Sequence, residues 1–157
     1  MAFTTFSGPI RSGTVREGSG RNTGLAVLAQ SYNSGNLTGT VVGNVDAQAF
    51  KIPQGSQIVD ITVDQIVAAT AGTTTVSVGS TSGGAELMAA VATTAGGRFR
   101  GVATAATQAA WQTSTSADTT VYVRVAVGTA TLTAGQFIVT VSYVQRASNG
   151  SQNPASA

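Results

Sequence analysis

The amino-acid sequence predicts an all-β fold, an antiparallel β-sandwich or jelly roll of about eight strands with an extended N-terminal arm. Three observations carry this expectation. From Gly24 onward, apolar and polar residues alternate with a period of two, the pattern of half-buried strands. Turn residues interrupt the alternation at intervals of roughly 8–15 residues, as in a sandwich rather than in βαβ units. No segment sustains a long helical period, and no repeat of roughly 20–50 residues signals a solenoid or propeller.

The elements follow in order. Residues 1–24 have no sustained period, and we read them as an extended arm with apolar anchors at Phe3, Phe6 and Ile10 and arginines at 11, 16 and 21. Residues 25–146 form the β domain. Its first strand, LAVLA, places Leu25, Val27 and Ala29 on one face. NLTGTVV, residues 36–42, follows as a second strand after the turn residues Asn33, Ser34 and Gly35. Pro53-Gln54-Gly55 is a turn between two further strands. In the second of these, Val59, Ile61 and Val63 face one way and Asp60, Thr62 and Asp64 the other, with a β-bulge near Gln65 where Ile66 breaks the alternation.

TTTVSVG is a short strand with Val76 and Val78 inward. AELMAAVATTAGG is ambiguous: its Ala, Glu, Leu and Met favour a helix, but the glycine pairs at 83–84 and 96–97 leave room for only about three turns. GRFRGVA places Phe99 inward with Arg98 and Arg100 outward, and ATQAAWQTSTSAD is a connection carrying the single tryptophan. TTVYVRVAVG turns Val121, Val123, Val125 and Val127 to one face. QFIVTVSYVQ does the same with Phe137, Val139, Val141 and Tyr143, and the pair reads as a hairpin around Ala134-Gly135. Residues 147–157 form a flexible polar tail.

Composition bounds what such a domain can do. Of 157 residues, 25 are Ala, 24 Thr, 19 Gly and 15 Ser, and only 9% are charged. The core is therefore thin and made mostly of the 19 valines. A thin core favours oligomerisation. There is no histidine and no cysteine, which excludes Ser-His-Asp and Cys-His nucleophiles, imidazole or thiolate metal sites and disulfides. No apolar run is long enough for a membrane helix, and the N-terminus lacks the pattern of a secretory signal, so we expect no membrane association and a cytosolic origin. One lysine and seven scattered arginines make a poor nucleic-acid face.

The remaining constellations are weak. Asp60 and Asp64, four apart on a strand, lie roughly 13 Å apart. That is too far for a glycosidase carboxylate pair. Gly18–Gly24 lacks dinucleotide-loop spacing, and GSTSG at 79–83 has Thr81 where a nucleophile elbow needs serine. Glu17 and Glu86 have no recognisable partners in the sequence. Arg98, Arg100 and Arg124 would form a positive patch if their faces met. Trp111 reads as a core cap before it reads as an interface hot spot. We expect no enzymatic activity and no cofactor.

FSGPIRSGTV at the N-terminus, IPQGSQIVDITVD, TVSVGSTSGGAEL followed by AGGRFRG, and the final VTVSYVQ strand resemble a group of small tailed-bacteriophage virion proteins. The resemblance spans most of residues 3–145. It implies a head decoration, or cement, protein: a β-sandwich, typically trimeric, on the capsid exterior, bracing neighbouring major capsid subunits and made in the host bacterial cytoplasm. The implied partners are the major capsid protein and further copies of the chain. The family's matching arm here is Phe6 to Thr14. With the anchors read above, the capsid-binding candidates are Phe3, Phe6, Pro9, Ile10, Arg11, Arg16 and Arg21. A head-fibre or tail module that recognises a host surface glycan is the alternative; it needs exposed aromatics, for which Tyr32, Trp111 and Tyr122 are the candidates.

Overall fold

The computed structural model describes residues 27–70, 73–101, 105–112 and 117–145. They form eight strands and one short helix: β1 (Val27–Asn33), β2 (Gly43–Ile52), β3 (Ser56–Val67), β4 (Thr74–Gly79), β5 (Met88–Ala92), β6 (Gly97–Arg100), α1 (Ala105–Gln112), β7 (Thr119–Val127) and β8 (Gln136–Gln145). Two four-stranded antiparallel sheets result, in the orders β1-β8-β3-β6 and β2-β7-β4-β5. Only the β4–β5 connection stays within one sheet; every other one crosses to the opposite sheet. This interleaving is the double Greek key of a jelly roll. The expected fold class is thus the observed one. The proposed arm, residues 1–24, and the tail, residues 147–157, lie outside the described residues.

The period-two faces of β7 and β8 meet across the sandwich. Val121, Val123, Val125 and Val127 project from one sheet, and Phe137, Val139, Val141 and Tyr143 from the other, each at most 4% exposed. The inward faces are as expected, but the two strands are not a hairpin, because they belong to different sheets. Each has one apolar face, so both are satisfied when they oppose each other across about 10 Å. Ile52, Ile61, Val63, Val76, Val78, Met88 and Leu132 complete the core.

Four local readings are corrected by the structure. Residues 36–42 are not a strand. The Asn36 Oδ1 accepts hydrogen bonds from the Thr38 N–H and Oγ1 (3.0 and 2.7 Å), and Gly39 follows at φ +88°, so the chain turns. The segment then pairs locally with the loop before β8, Leu37 N–H donating to Gly135 O and Gly39 N–H to Leu132 O. In β1 the phase is shifted by one: Leu28, Gln30 and Tyr32 sit opposite the inward Tyr143, Val141 and Val139, leaving Val27 and Ala29 outside. In β3 a first bulge at Val59 accompanies the expected one at Ile66. Ile58 therefore packs on the core and Val59 is left 46% exposed.

The fourth correction concerns the two segments of ambiguous propensity. Met88–Ala92 forms an edge strand, since β4 offers it a ladder that outweighs the helix preference of Ala and Met. Ala105–Gln112, expected as a plain connection, is the helix. Its alanine-rich sequence suits a helix, and Trp111 Nε1 fixes it to the sandwich by donating to Leu87 O at 2.7 Å.

Phe137 is the largest fully buried side chain and 1% exposed. Truncating it by Phe137→Ala is expected to cost about 3–5 kcal/mol. For a chain of this size that lowers the melting temperature by roughly 6–20 °C. Calorimetry of the two proteins checks this, and an unchanged midpoint would contradict the β8 phase.

Candidate functional site

The sequence-predicted binding residues Phe3, Phe6, Pro9, Ile10, Arg11, Arg16 and Arg21 all lie outside the described residues. The surfaces that the described residues present to a partner include two polar sheet faces, the open side at β1 and β2, and a cavity at the end of the sandwich.

The polar faces are built from cross-strand ion pairs. On the β1-β8-β3-β6 face, Arg98 sits directly opposite Asp64 and grips it with two bonds, Nε to Oδ1 at 2.5 Å and Nη2 to Oδ2 at 3.1 Å. Arg100 reaches Asp60 diagonally at 3.2 Å. On the β2-β7-β4-β5 face, Arg124 sits opposite Asp46 and holds it in the same two-pronged way, at 2.6 and 2.9 Å, while Ser82 Oγ donates to Asp46 Oδ2. The expected positive patch is therefore not formed. Arg98 and Arg100 face away from Arg124, and each arginine is neutralised by its own aspartate. Asp60 and Asp64 are likewise occupied as arginine partners.

Charge states follow from these contacts. The Arg124 hydrogen bonds hold the Asp46 carboxyl below the usual carboxylate range. The Asp64 carboxylate raises the Arg98 guanidinium. Glu86, which lacked a partner in the sequence, folds back onto its own loop. Its carboxyl is lowered first by its own backbone N–H, then by Thr81 Oγ1 (3.0 Å) and the Ser80 N–H (3.2 Å). The GSTSG segment is thus a carboxylate cradle rather than a nucleophile loop. Gly83 in it has φ +81°, and a side chain there would overlap the Arg124 guanidinium.

The open side is formed by β1 and β2, the terminal strands of their sheets. Gln30 Nε2 ties them at one point, donating to Lys51 O and Tyr143 Oη, both at 2.9 Å. Around them, Val27, Leu28, Val41, Val42 and Val45 are 43–66% exposed. Exposed strand edges with apolar flanks are templates for pairing with another chain. Sequence reasoning missed this group because it assigned Val41 and Val42 to a strand; their adjacency, against the alternation, was the available signal.

The aromatics required by a glycan-binding reading do not cluster. Tyr32 and Trp111 pack on the core, as expected of a core cap for Trp111, and Tyr122 lies on the outer face beside Gln48. Among the described residues no group of acidic, His or Cys side chains could hold a metal, and no helix is long and apolar enough to cross a membrane.

No protein-family model matches the chain, and no curated protein matches it. Solved structures do match its fold. A chain of the cyanophage Pam1 capsid asymmetric unit aligns with TM-score 0.58 and 22% identity, covering 85% of this chain and 94% of its own. A chain of the Ralstonia phage GP4 capsid gives TM-score 0.58 and 21% identity, with 84% and 92% covered. A chain of the acid-stable capsid of Helicobacter pylori bacteriophage KHP30 gives TM-score 0.53 and 12% identity, with 78% and 94% covered. At these identities the likeness is one of fold.

The lowered Asp46 carboxyl sets a pH dependence. A carboxyl depressed by folding contributes stability above its unfolded value, and this is lost as the pH falls through its folded value. Asp46→Asn should therefore lower the melting temperature at neutral pH, and the gap from the parent should close as the pH drops below about 4. Melting curves from pH 7 to pH 2 measure this; a gap of constant size would show that the ion pair is not its source.

Proposed function

We propose that this protein is a structural component of a bacteriophage virion, a decoration protein that binds the outer surface of the capsid and braces neighbouring major capsid subunits. The observation that carries this reading is the match of its jelly roll, over 78–85% of its length, to chains of three phage capsids. The N-terminal FSGPIRSGTV resemblance agrees with it. So does the chemistry of the surface, whose arginines on the sheets are consumed by internal ion pairs.

In this reading the β domain is a rigid body and residues 1–24 provide much of the grip on the capsid. Twenty-four extended residues span up to roughly 80 Å. The body has a radius of gyration of about 15 Å. The arm can thus reach a neighbouring subunit. Phe3, Phe6, Pro9 and Ile10 supply apolar contacts, and Arg11, Arg16 and Arg21 supply the guanidinium groups favoured at interfaces. Ordering such a segment costs about 1–2 kcal/mol per residue, so the contacts must be numerous. The open β1/β2 side, with its exposed valines, is suited to association of copies into a closed trimer.

Two outcomes are expected. Deleting residues 1–24 leaves melting nearly unchanged but strongly weakens binding to undecorated particles in a co-sedimentation assay; equally tight decoration by the shortened chain would move the contact surface to the sandwich. Light scattering at micromolar concentration gives three times the 15.6 kDa chain mass. A single-chain mass would remove the trimer from the account.

A further inference from the structure

We propose that residues 80–87, the connection from β4 to β5, form an acid-released latch, which holds the Trp111 helix and the start of β5 closed at neutral pH and frees them when the carboxylates of Asp46 and Glu86 take up protons. The inference stands apart from the capsid reading, since it concerns the β domain by itself. Among the described residues, every hydrogen bond donated by residues 80–82 ends on one of these two carboxylates. The Ser80 N–H (3.2 Å) and Thr81 Oγ1 (3.0 Å) donate to Glu86, and Ser82 Oγ (3.0 Å) donates to Asp46. The first two fold the connection back on itself, and the third fastens it to the outer face of β2. The connection seats closely on the end of β4: a side chain on Gly79 would run into the Gly84 backbone and the Glu86 carboxylate.

Both carboxyls are held below their ordinary values by these contacts. For Asp46 the first cause is the Arg124 guanidinium, to which Ser82 adds; for Glu86 it is its own N–H, then Thr81 and Ser80. Arg124 is the charged group that faces the latch from β7, with Tyr122 the remaining titratable group on that strand. β4, β5 and α1 carry no charged group. Lys51 of β2 and Asp118, just before β7, make no hydrogen bond or ion pair with either carboxylate among the described residues. Stability from a carboxyl depressed by folding is present above its unfolded value and lost as the pH falls through its folded value. The latch therefore stays shut at neutral pH and opens below about pH 4. Protonation makes each carboxyl a neutral acceptor, and neutral hydrogen bonds are roughly half as strong as charge-assisted ones. Leu87, the residue after Glu86, accepts the Trp111 Nε1 bond at 2.7 Å and donates its own N–H to Val78 O. Ser80, Glu86 and Leu87 form one wall of the end cavity, about 250 Å³, and Ala110 and Trp111 form another. Release at Glu86 lets these walls part and uncovers Leu87 and Met88, which are 4% and 0% exposed when the latch is shut.

The test uses the full chain, whose single tryptophan is Trp111. Acrylamide quenching of its fluorescence and the far-ultraviolet circular dichroism of the sheets are followed together from pH 7 to pH 2. We expect quenching to rise about two-fold at a higher pH than the loss of the β-sheet signal, as a local opening does. Glu86→Gln, which mimics the protonated acid, should show the raised quenching already at pH 7 with the β-sheet signal kept. Thr81→Val and Ser82→Ala each remove one donor, so the Glu86 or Asp46 carboxyl moves back toward its ordinary value and the quenching midpoint moves to higher pH. Asp64→Asn, which breaks the pair with Arg98 on the opposite sheet, should leave the quenching curve unmoved. Quenching and β-sheet signal that change together in the parent would overturn the latch. So would Glu86→Gln, Thr81→Val and Ser82→Ala proteins that quench as the parent does at every pH, or an Asp64→Asn curve shifted as far as that of Thr81→Val.

Discussion

The structure depends on a single layer of side chains held between two sheets. Val121, Val123, Val125 and Val127 of β7 meet Phe137, Val139, Val141 and Tyr143 of β8, and these two strands lie inside their respective sheets. β8 anchors β1 and β3, while β7 anchors β2 and β4. Loss of that contact would leave both sheets with uncovered apolar faces. Because the layer is one side chain deep on each side and mostly valine, it carries little redundancy. Phe137 supplies much of its bulk, which is why the core is sensitive at that position.

The legible part of the fold was the part governed by this layer. Strict alternation in 119–127 and 136–145 marks one buried face, and burial on one face admits only one phase. The partner of each face was not legible. An alternating strand looks the same whether its neighbour is in the same sheet or across the core, so β7 and β8 resembled a hairpin. Segments away from the layer were decided by other forces. The turn at 36–39 is set by the Asn36 side chain, the strand at 88–92 by the free ladder of β4, and the helix at 105–112 by the docking of Trp111. At β1, weak amphipathicity allowed a one-residue phase error, corrected by the pairing of Tyr32 with Val139.

Surface chemistry was the least legible. The sequence shows arginines and aspartates but not that strand register places Arg98 on Asp64 and Arg124 on Asp46. Once paired, these groups keep two faces polar and electrically quiet, contributing only modestly to stability as exposed pairs do. Away from these two faces, the apolar open side at β1 and β2 is left for recognition, and the proposed capsid grip lies in the arginine- and phenylalanine-bearing N-terminal sequence. A sandwich with polar flat faces and an apolar open side suits the proposed role of bracing neighbouring capsid subunits.

The proposed place of this protein on the capsid exterior is tested most directly by a cryo-electron-microscopy reconstruction of particles that carry it. A decoration protein should give β-sandwich density of this shape on the outer capsid surface, astride junctions between major capsid subunits, with N-terminal density continuing over a neighbouring subunit. Density confined to the tail or to the capsid interior would contradict it.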